Sequence, residues 1–175
     1  KGLVKAKKRG STCIYVEDNT SYSYCYVTVE TPKLSKSKIT LIKGTSYSLN
    51  IKGTYRTVKW SSSDKKIAKV SKYGTVTARK SGTAEITALV GKHKYTCTVK
   101  VEAPKLSAKE MFLEPGKQAK ISISGTTKKV KWSIEDNSVA TISSDGTITA
   151  KKQGYTTITA KVSSAYYECD LSVEK

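Results

Sequence analysis

The chain has 175 residues, 37 % of them hydrophobic and 26 % charged, with 32 basic against 14 acidic side chains and a formal charge of +18. That balance excludes a disordered polyelectrolyte, and the lack of any long apolar run excludes a membrane-spanning helix. Residues 1–30 also lack the charged-then-apolar layout of a secretion signal.

Taken in chain order, the first elements are short alternating runs. Thr12-Cys13-Ile14-Tyr15-Val16 and Cys25-Tyr26-Val27-Thr28-Val29 read as two strands of a hairpin centred near Asn19. Alternation puts Val4, Ala6, Ile14, Val16, Val27 and Val29 on one inward face. Next comes Pro32, suited to a linker or an edge-strand start because proline has no N–H to give a sheet. Beyond it, Tyr47-Ser48-Leu49-Asn50-Ile51, Val58-Lys59-Trp60 and Thr75-Val76-Thr77-Ala78 alternate in the same way, with Gly44, Gly53, Gly74 and Gly82 between them. Ser63-Asp64-Lys65-Lys66-Ile67-Ala68 interrupts the strands, and Asp64 is placed to accept backbone N–H bonds in an Asx-turn. No stretch carries a sustained helical period.

The same order then recurs, 72 residues later and without a gap. Pro32, Trp60, Asp64, Gly74, Gly82 and Cys97 return as Pro104, Trp132, Asp136, Gly146, Gly154 and Cys169, and 30 of 72 aligned positions are identical. Residues 1–30 are a partial earlier copy, with Gly2, Gly10, Cys25 and Glu30 one period before Gly74, Gly82, Cys97 and Glu102. The expected organisation is the closing strands of an incomplete repeat at 1–30 and two complete modules at 31–102 and 103–175. Each complete module is expected to be an all-β, two-layer sandwich of about seven short strands. Because the chain begins within a repeat, it is expected to be a piece of a longer protein. Duplication adds little to an active site but does extend a rod, a spacer or a multivalent binder.

The run Val58-Lys59-Trp60-Ser61-Ser62-Ser63-Asp64, followed by Ile67-Ala68-Lys69-Val70-Ser71, Gly74-Thr75-Val76-Thr77-Ala78 and Gly82-Thr83-Ala84-Glu85-Ile86-Thr87-Ala88, resembles the bacterial immunoglobulin-like domain, group 2. The second copy resembles it from Val130-Lys131-Trp132-Ser133 to Gly154, and residues 1–30 resemble the closing portion of another. The resemblance implies tandem immunoglobulin-like β-sandwiches of a secreted or surface-attached bacterial protein, such as an intimin- or invasin-like adhesin or an extracellular carbohydrate-active enzyme. It brings no catalytic residues and no cofactor.

The residues themselves point away from catalysis. His93 is the only histidine and sits in the polar turn Gly91-Lys92-His93-Lys94, while Glu17-Asp18 and Glu135-Asp136 are isolated acidic pairs. No phosphate loop, nucleophile elbow or clustered Cys/His set is present. Cys97, Cys169 and Cys25 share faces with apolar strand neighbours, so each is expected to be a free core thiol. Cys13 and Cys25 fall on opposite faces of adjacent strands, which opposes a bridge between them; a distorted hairpin disulfide is the alternative.

Charge marks one module out. Residues 31–102 carry 16 basic and 3 acidic side chains, a net +13, whereas residues 103–175 are +3. Lys52, Tyr55, Arg56, Lys59, Lys65, Lys66, Lys69, Lys72 and Tyr73 form the candidate anion- or glycan-binding set. Lys outnumbers Arg 29 to 3, which favours diffuse attraction over forked recognition and argues against specific nucleic-acid readout. Of three functional readings, the first two are a non-catalytic structural and adhesive spacer, and a binder of anionic cell-wall polymer, glycan or a host-surface protein. A third makes the chain an accessory region of an extracellular carbohydrate-active enzyme. Either way the expected location is extracellular or cell-surface attached, and the unpartnered apolar face of residues 1–30 is expected to pack on a neighbouring module or pair with another chain.

Overall fold

The computed structural model describes residues 3–17 and 20–175. The expected hairpin centre at Asn19, the repeat glycine Gly2 and the acidic residue Asp18 lie outside the described residues. All regular elements among the described residues are strands, and no helix is long and apolar enough to cross a membrane.

Strands β1 (Gly10–Glu17) and β2 (Tyr22–Val29) pair antiparallel as a two-stranded sheet, with Gly10 opposite Val29 and Ile14 opposite Cys25. The next repeat contains β3 (Lys33–Leu34), β4 (Lys38–Ile42), β5 (Ser46–Ser48), β6 (Ile51–Lys52), β7 (Val58–Ser62), β8 (Ala68–Val70), β9 (Thr75–Ala78), β10 (Gly82–Val90) and β11 (His93–Glu102). They form a four-stranded sheet in the order β4-β11-β10-β7, a three-stranded sheet β5-β9-β8, and a short β3-β6 ribbon. β4 runs parallel to β11; the other pairings are antiparallel.

The following repeat reproduces this topology strand for strand. Its members are β12 (Lys105–Leu106), β13 (Glu110–Leu113), β14 (Gln118–Lys120), β15 (Ile123–Ser124), β16 (Val130–Ile134), β17 (Ala140–Ile142), β18 (Thr147–Ala150), β19 (Gly154–Val162) and β20 (Ala165–Val173). The sheets are β13-β20-β19-β16, β14-β18-β17 and β12-β15.

Nine strand segments stand where about seven were expected. The run Tyr47–Ile51 is not one strand: β5 pairs with β9, then the chain crosses to pair β6 with β3. The break falls at Leu49, whose N–H is taken by the Gly74 carbonyl at 3.0 Å while its side chain is buried. Ile121 breaks the second copy in the same way, with its N–H on Gly146.

Between the four- and three-stranded sheets lies each core. In the first complete repeat Leu41, Leu49, Val76, Ile86, Cys97 and Val99 meet there, with Trp60 and Ile67 packed at its margin. In the second, Ile121, Ile148, Ile158, Cys169 and Leu171 do so, beside Trp132. Burying such apolar surface is the main stabilising term of each sandwich. Asp64 and Asp136 make the expected turns, accepting the N–H of Lys66 and of Ser138, each at 2.7 Å.

Residues 1–30 depart from expectation. Val4 and Ala6 belong to no strand, and Val4 and Val16 are exposed, while Ile14, Val27 and Val29 are only half-buried. Cys25 is exposed rather than a core thiol, because no second layer among the described residues covers the face that Cys97 and Cys169 turn inward.

Candidate functional site

The nine residues of the basic set do not form one cluster. Lys59 on β7 pairs across from Leu89, and a cleft of about 760 Å³ brings it together with Trp60, Lys72 and Tyr73. Within that cleft the Lys72 ammonium lies 4.9 Å from the centre of the exposed Tyr73 ring, a cation–π contact. Lys65 and Lys66 stand in the Asp64 turn, and Lys69 stands on β8 opposite Thr77. Lys52 lies opposite Lys33 in the β3-β6 ribbon. Tyr55 is exposed, and Arg56 is committed elsewhere, to Glu30. The geometry therefore gathers Lys59, Lys72 and Tyr73 and leaves the remaining charges distributed over the surface.

The partner of Arg56 belongs to a feature that sequence reasoning missed. Glu30 ends the first partial repeat, yet its carboxylate reaches into the next module. It accepts the Thr54 hydroxyl at 3.0 Å, the Tyr55 N–H at 2.9 Å and the Arg56 Nε–H at 3.0 Å. The Tyr55 N–H, offset in part by burial, and the Thr54 and Arg56 contacts hold this carboxyl below its ordinary pKa. Glu102, one period later, does the same. It accepts the Thr126 hydroxyl at 2.7 Å, the Thr127 N–H at 3.0 Å and the Thr127 hydroxyl at 2.9 Å, and it pairs with the Lys100 ammonium at 3.0 Å. Burial, at 4 % exposure, pushes the Glu102 pKa up, but the Thr126, Lys100 and Thr127 bonds outweigh it and bring the value to about 2.

The receiving turns are shaped by glycine. Gly53 (φ 84°) and Gly125 (φ 75°) are left-handed, and a Cβ on either would collide with the carbonyl oxygen of Thr31 or Ala103 in the linker. Gly53 also accepts the Thr31 N–H through its own carbonyl at 3.1 Å. The signal was present in the text: Glu30/Glu102, Gly53/Gly125 and Thr54/Thr126 all recur at the period. What hid it is that polar identities outside the core do not announce their partners.

No group of three or more His, Cys, Asp or Glu side chains able to hold a metal occurs among the described residues. His93 opens β11 opposite Val90, beside the turn Gly91-Lys92 rather than inside it. Cys13 and Cys25 are unbridged and exposed, while burial raises the pKa of the Cys97 and Cys169 thiols.

Two cores, one topology and one junction device repeat along this chain. The model of the bacterial Ig-like domain (group 2) matches residues 28–99 and again residues 100–165. The chain belongs to that family. These bacterial Ig-like repeats match no curated protein. Among solved structures, the C-terminal 282-residue fragment of intimin, crystallised with the intimin-binding domain of its translocated receptor, is similar with a TM-score of 0.55 and 16 % identity. That match covers 85 % of this chain and 65 % of the fragment, and it shows the shared Ig-like fold. Domains 4 and 5 of the S-layer protein SbsC match with a TM-score of 0.37 and 20 % identity over 68 % of this chain and 77 % of that one. A longer SbsC structure matches with a TM-score of 0.38 and 16 % identity over 95 % of this chain, which spans 35 % of its length.

Proposed function

We propose that the chain is a non-catalytic structural and adhesive repeat segment of a bacterial surface or secreted protein, with modules at 31–102 and 103–175 preceded by the closing strands of another at 1–30. The carrying observation is the junction. A carboxylate at the end of one repeat is held by three groups of the next, at both Glu30 and Glu102. Such bonds restrict bending between consecutive units, which is what a spacer holding a distal part away from a surface requires. X-ray scattering tests this reading. A stiff, extended profile that broadens in the Glu30→Gln/Glu102→Gln variant supports it; a flexible string of beads in the unmodified protein removes it.

Adhesion through the basic module is the second reading, favoured by the net +13 of residues 31–102 and by the Lys59–Lys72–Tyr73 cleft. Its ligand class is an anionic cell-wall polymer or acidic glycan, attracted by a field that salt screens. Heparin is a convenient probe. Retention at low salt should collapse toward 1 M, where the screening length is about 3 Å. Retention should also weaken in Lys66→Ser/Lys69→Thr/Lys72→Ser, which installs the residues of the following repeat. Passage through heparin at low salt would sink this reading. A role as the accessory region of an extracellular carbohydrate-active enzyme is compatible with both.

A further inference from the structure

The outer face of the second four-stranded sheet differs from its counterpart one period earlier in a directed way. Phe112 on β13, Ser172 on β20 and Tyr155 on β19 lie side by side in one cross-strand row. Phe112 is 67 % exposed and Tyr155 80 % exposed, while Ser172 between them is buried. The next row sets Glu110 beside Asp170, and Glu135 completes the wall of a cleft of about 510 Å³. At the equivalent positions the preceding repeat has Thr40, Lys100 and Thr83 in the first row, Lys38 and Thr98 in the second, and Ser63 for Glu135. Two aromatics and three carboxylates have replaced threonines, lysine and serine, on a sheet whose register is otherwise the same.

Core packing does not explain these residues, because they face solvent; a large exposed aromatic pair beside like charges costs solubility and brings no burial. Chemistry does explain them. The two ring-bearing backbones are separated by two inter-strand spacings, about 10 Å. A β(1→4)-linked pyranose chain advances by a similar length every second ring, so alternate sugar rings can lay their apolar C–H faces on Phe112 and Tyr155. Ser172 keeps the floor between them low; a lysine there, as at position 100, would fill it. The carboxylates of Glu110, Glu135 and Asp170 accept hydroxyl bonds, repel uronic or sulfated sugars, and attract ammonium groups. Screening confines such fields to about 10 Å at 0.1 M salt, so these nearby carboxylates, and not the +18 of the whole chain, set the preference at the cleft.

We propose that this face is a binding site for a β(1→4)-linked glycan bearing free amines, with Phe112 and Tyr155 as stacking platforms and Glu110, Glu135 and Asp170 as acceptors for its hydroxyl and ammonium groups. The site is independent of the basic module and takes a ligand of opposite charge.

Titration calorimetry with glucosamine hexaose at about pH 6, below the neutral range where its amines would lose their protons, tests the proposal. The expected result is saturable binding, weakened roughly tenfold or more by Phe112→Thr/Tyr155→Thr and by Glu110→Lys/Asp170→Thr. These substitutions install residues that the other repeat already carries at the same sheet positions, and circular dichroism of each variant verifies the fold. The fully N-acetylated hexamer should bind more weakly, because it lacks the ammonium groups. Absence of binding, binding untouched by both variants, or equal binding of the acetylated hexamer would overturn the proposal. So would self-association of the protein that the Phe112/Tyr155 variant abolishes without any effect of the sugar, since the face would then pair with a second copy. Heparin retention should be unchanged in Phe112→Thr/Tyr155→Thr, so failure here is separable from failure of the basic-module reading.

Discussion

The carboxylate of Glu102 accepts the backbone N–H of Thr127 at 3.0 Å, while the Glu102 backbone carbonyl accepts the N–H of Lys43 at 2.8 Å. One residue thus belongs to two modules: its main chain closes the β4-β11 ladder of the first, and its side chain holds a turn of the second. Removing the carboxylate leaves a partly buried N–H and the Lys100 ammonium without their partner. Glu102→Ala should cost about 1.5–3 kcal/mol, the usual net contribution of hydrogen bonds made to a charged group. Calorimetry of the whole chain should show the unfolding of the two modules moving apart, because the cost falls on their coupling. An unaltered trace would mean that the staple does not couple them.

The same carboxylate makes the junction acid-sensitive, and the sign follows from the direction of its shift. Its folded pKa of about 2 lies below the ordinary value of 4.5, so the folded state favours the ionised form. The stabilisation is fully present above pH 4.5 and is lost as pH falls toward 2. Stability measured by denaturant titration across that interval should therefore decline, and Glu102→Gln should flatten the decline. The hydrogen bonds to Glu30 act in the same direction at the preceding junction.

Thiol reactivity should divide the four cysteines evenly. Cys13 and Cys25 are exposed and unbridged, and Cys97 and Cys169 are fully buried with raised pKa values. A disulfide reagent at neutral pH should titrate two thiols in the native protein and four after unfolding, since only accessible thiolate reacts. Fewer than two fast thiols would mean that Cys13 or Cys25 is covered or bridged.

The fold was legible because its determinants are local and doubled. Alternation located β7, β9 and their copies, Asp64 and Asp136 announced their turns, and Cys97 and Cys169 fell on the buried face with their apolar neighbours. Leu49 and Ile121 misled, because an alternating run does not reveal that the chain changes sheets partway along it. Cys25 misled for a different reason. Its sequence neighbours match those of Cys97, but burial depends on a second layer, and none covers Cys25 among the described residues. The junction carboxylates and the Phe112–Tyr155 face are relations between distant positions, and only the folded register brings them together.

One position retains strain that its repeat partner avoids. Ser163 has φ 58°, the only non-glycine residue with positive φ among those described, and its equivalent Gly91 has φ 59°. Both open a two-residue hairpin turn, between Val162 and Ala165 and between Val90 and His93, with positive φ only at the first turn residue. That is the pattern of a type II′ turn, which selects glycine at this place. For an L-residue the left-handed region costs roughly 1–2 kcal/mol, and glycine gives back about 0.5–1 kcal/mol through its freer unfolded chain. Ser163→Gly should therefore stabilise the second module by about 0.5–1 kcal/mol, raising the denaturation midpoint with no change in slope. The reverse substitution, Gly91→Ser, should lower the midpoint of the first module by a similar amount. If Ser163→Gly leaves the midpoint in place or lowers it, the serine is held there by an interaction that outweighs the backbone preference, and the turn is not strained.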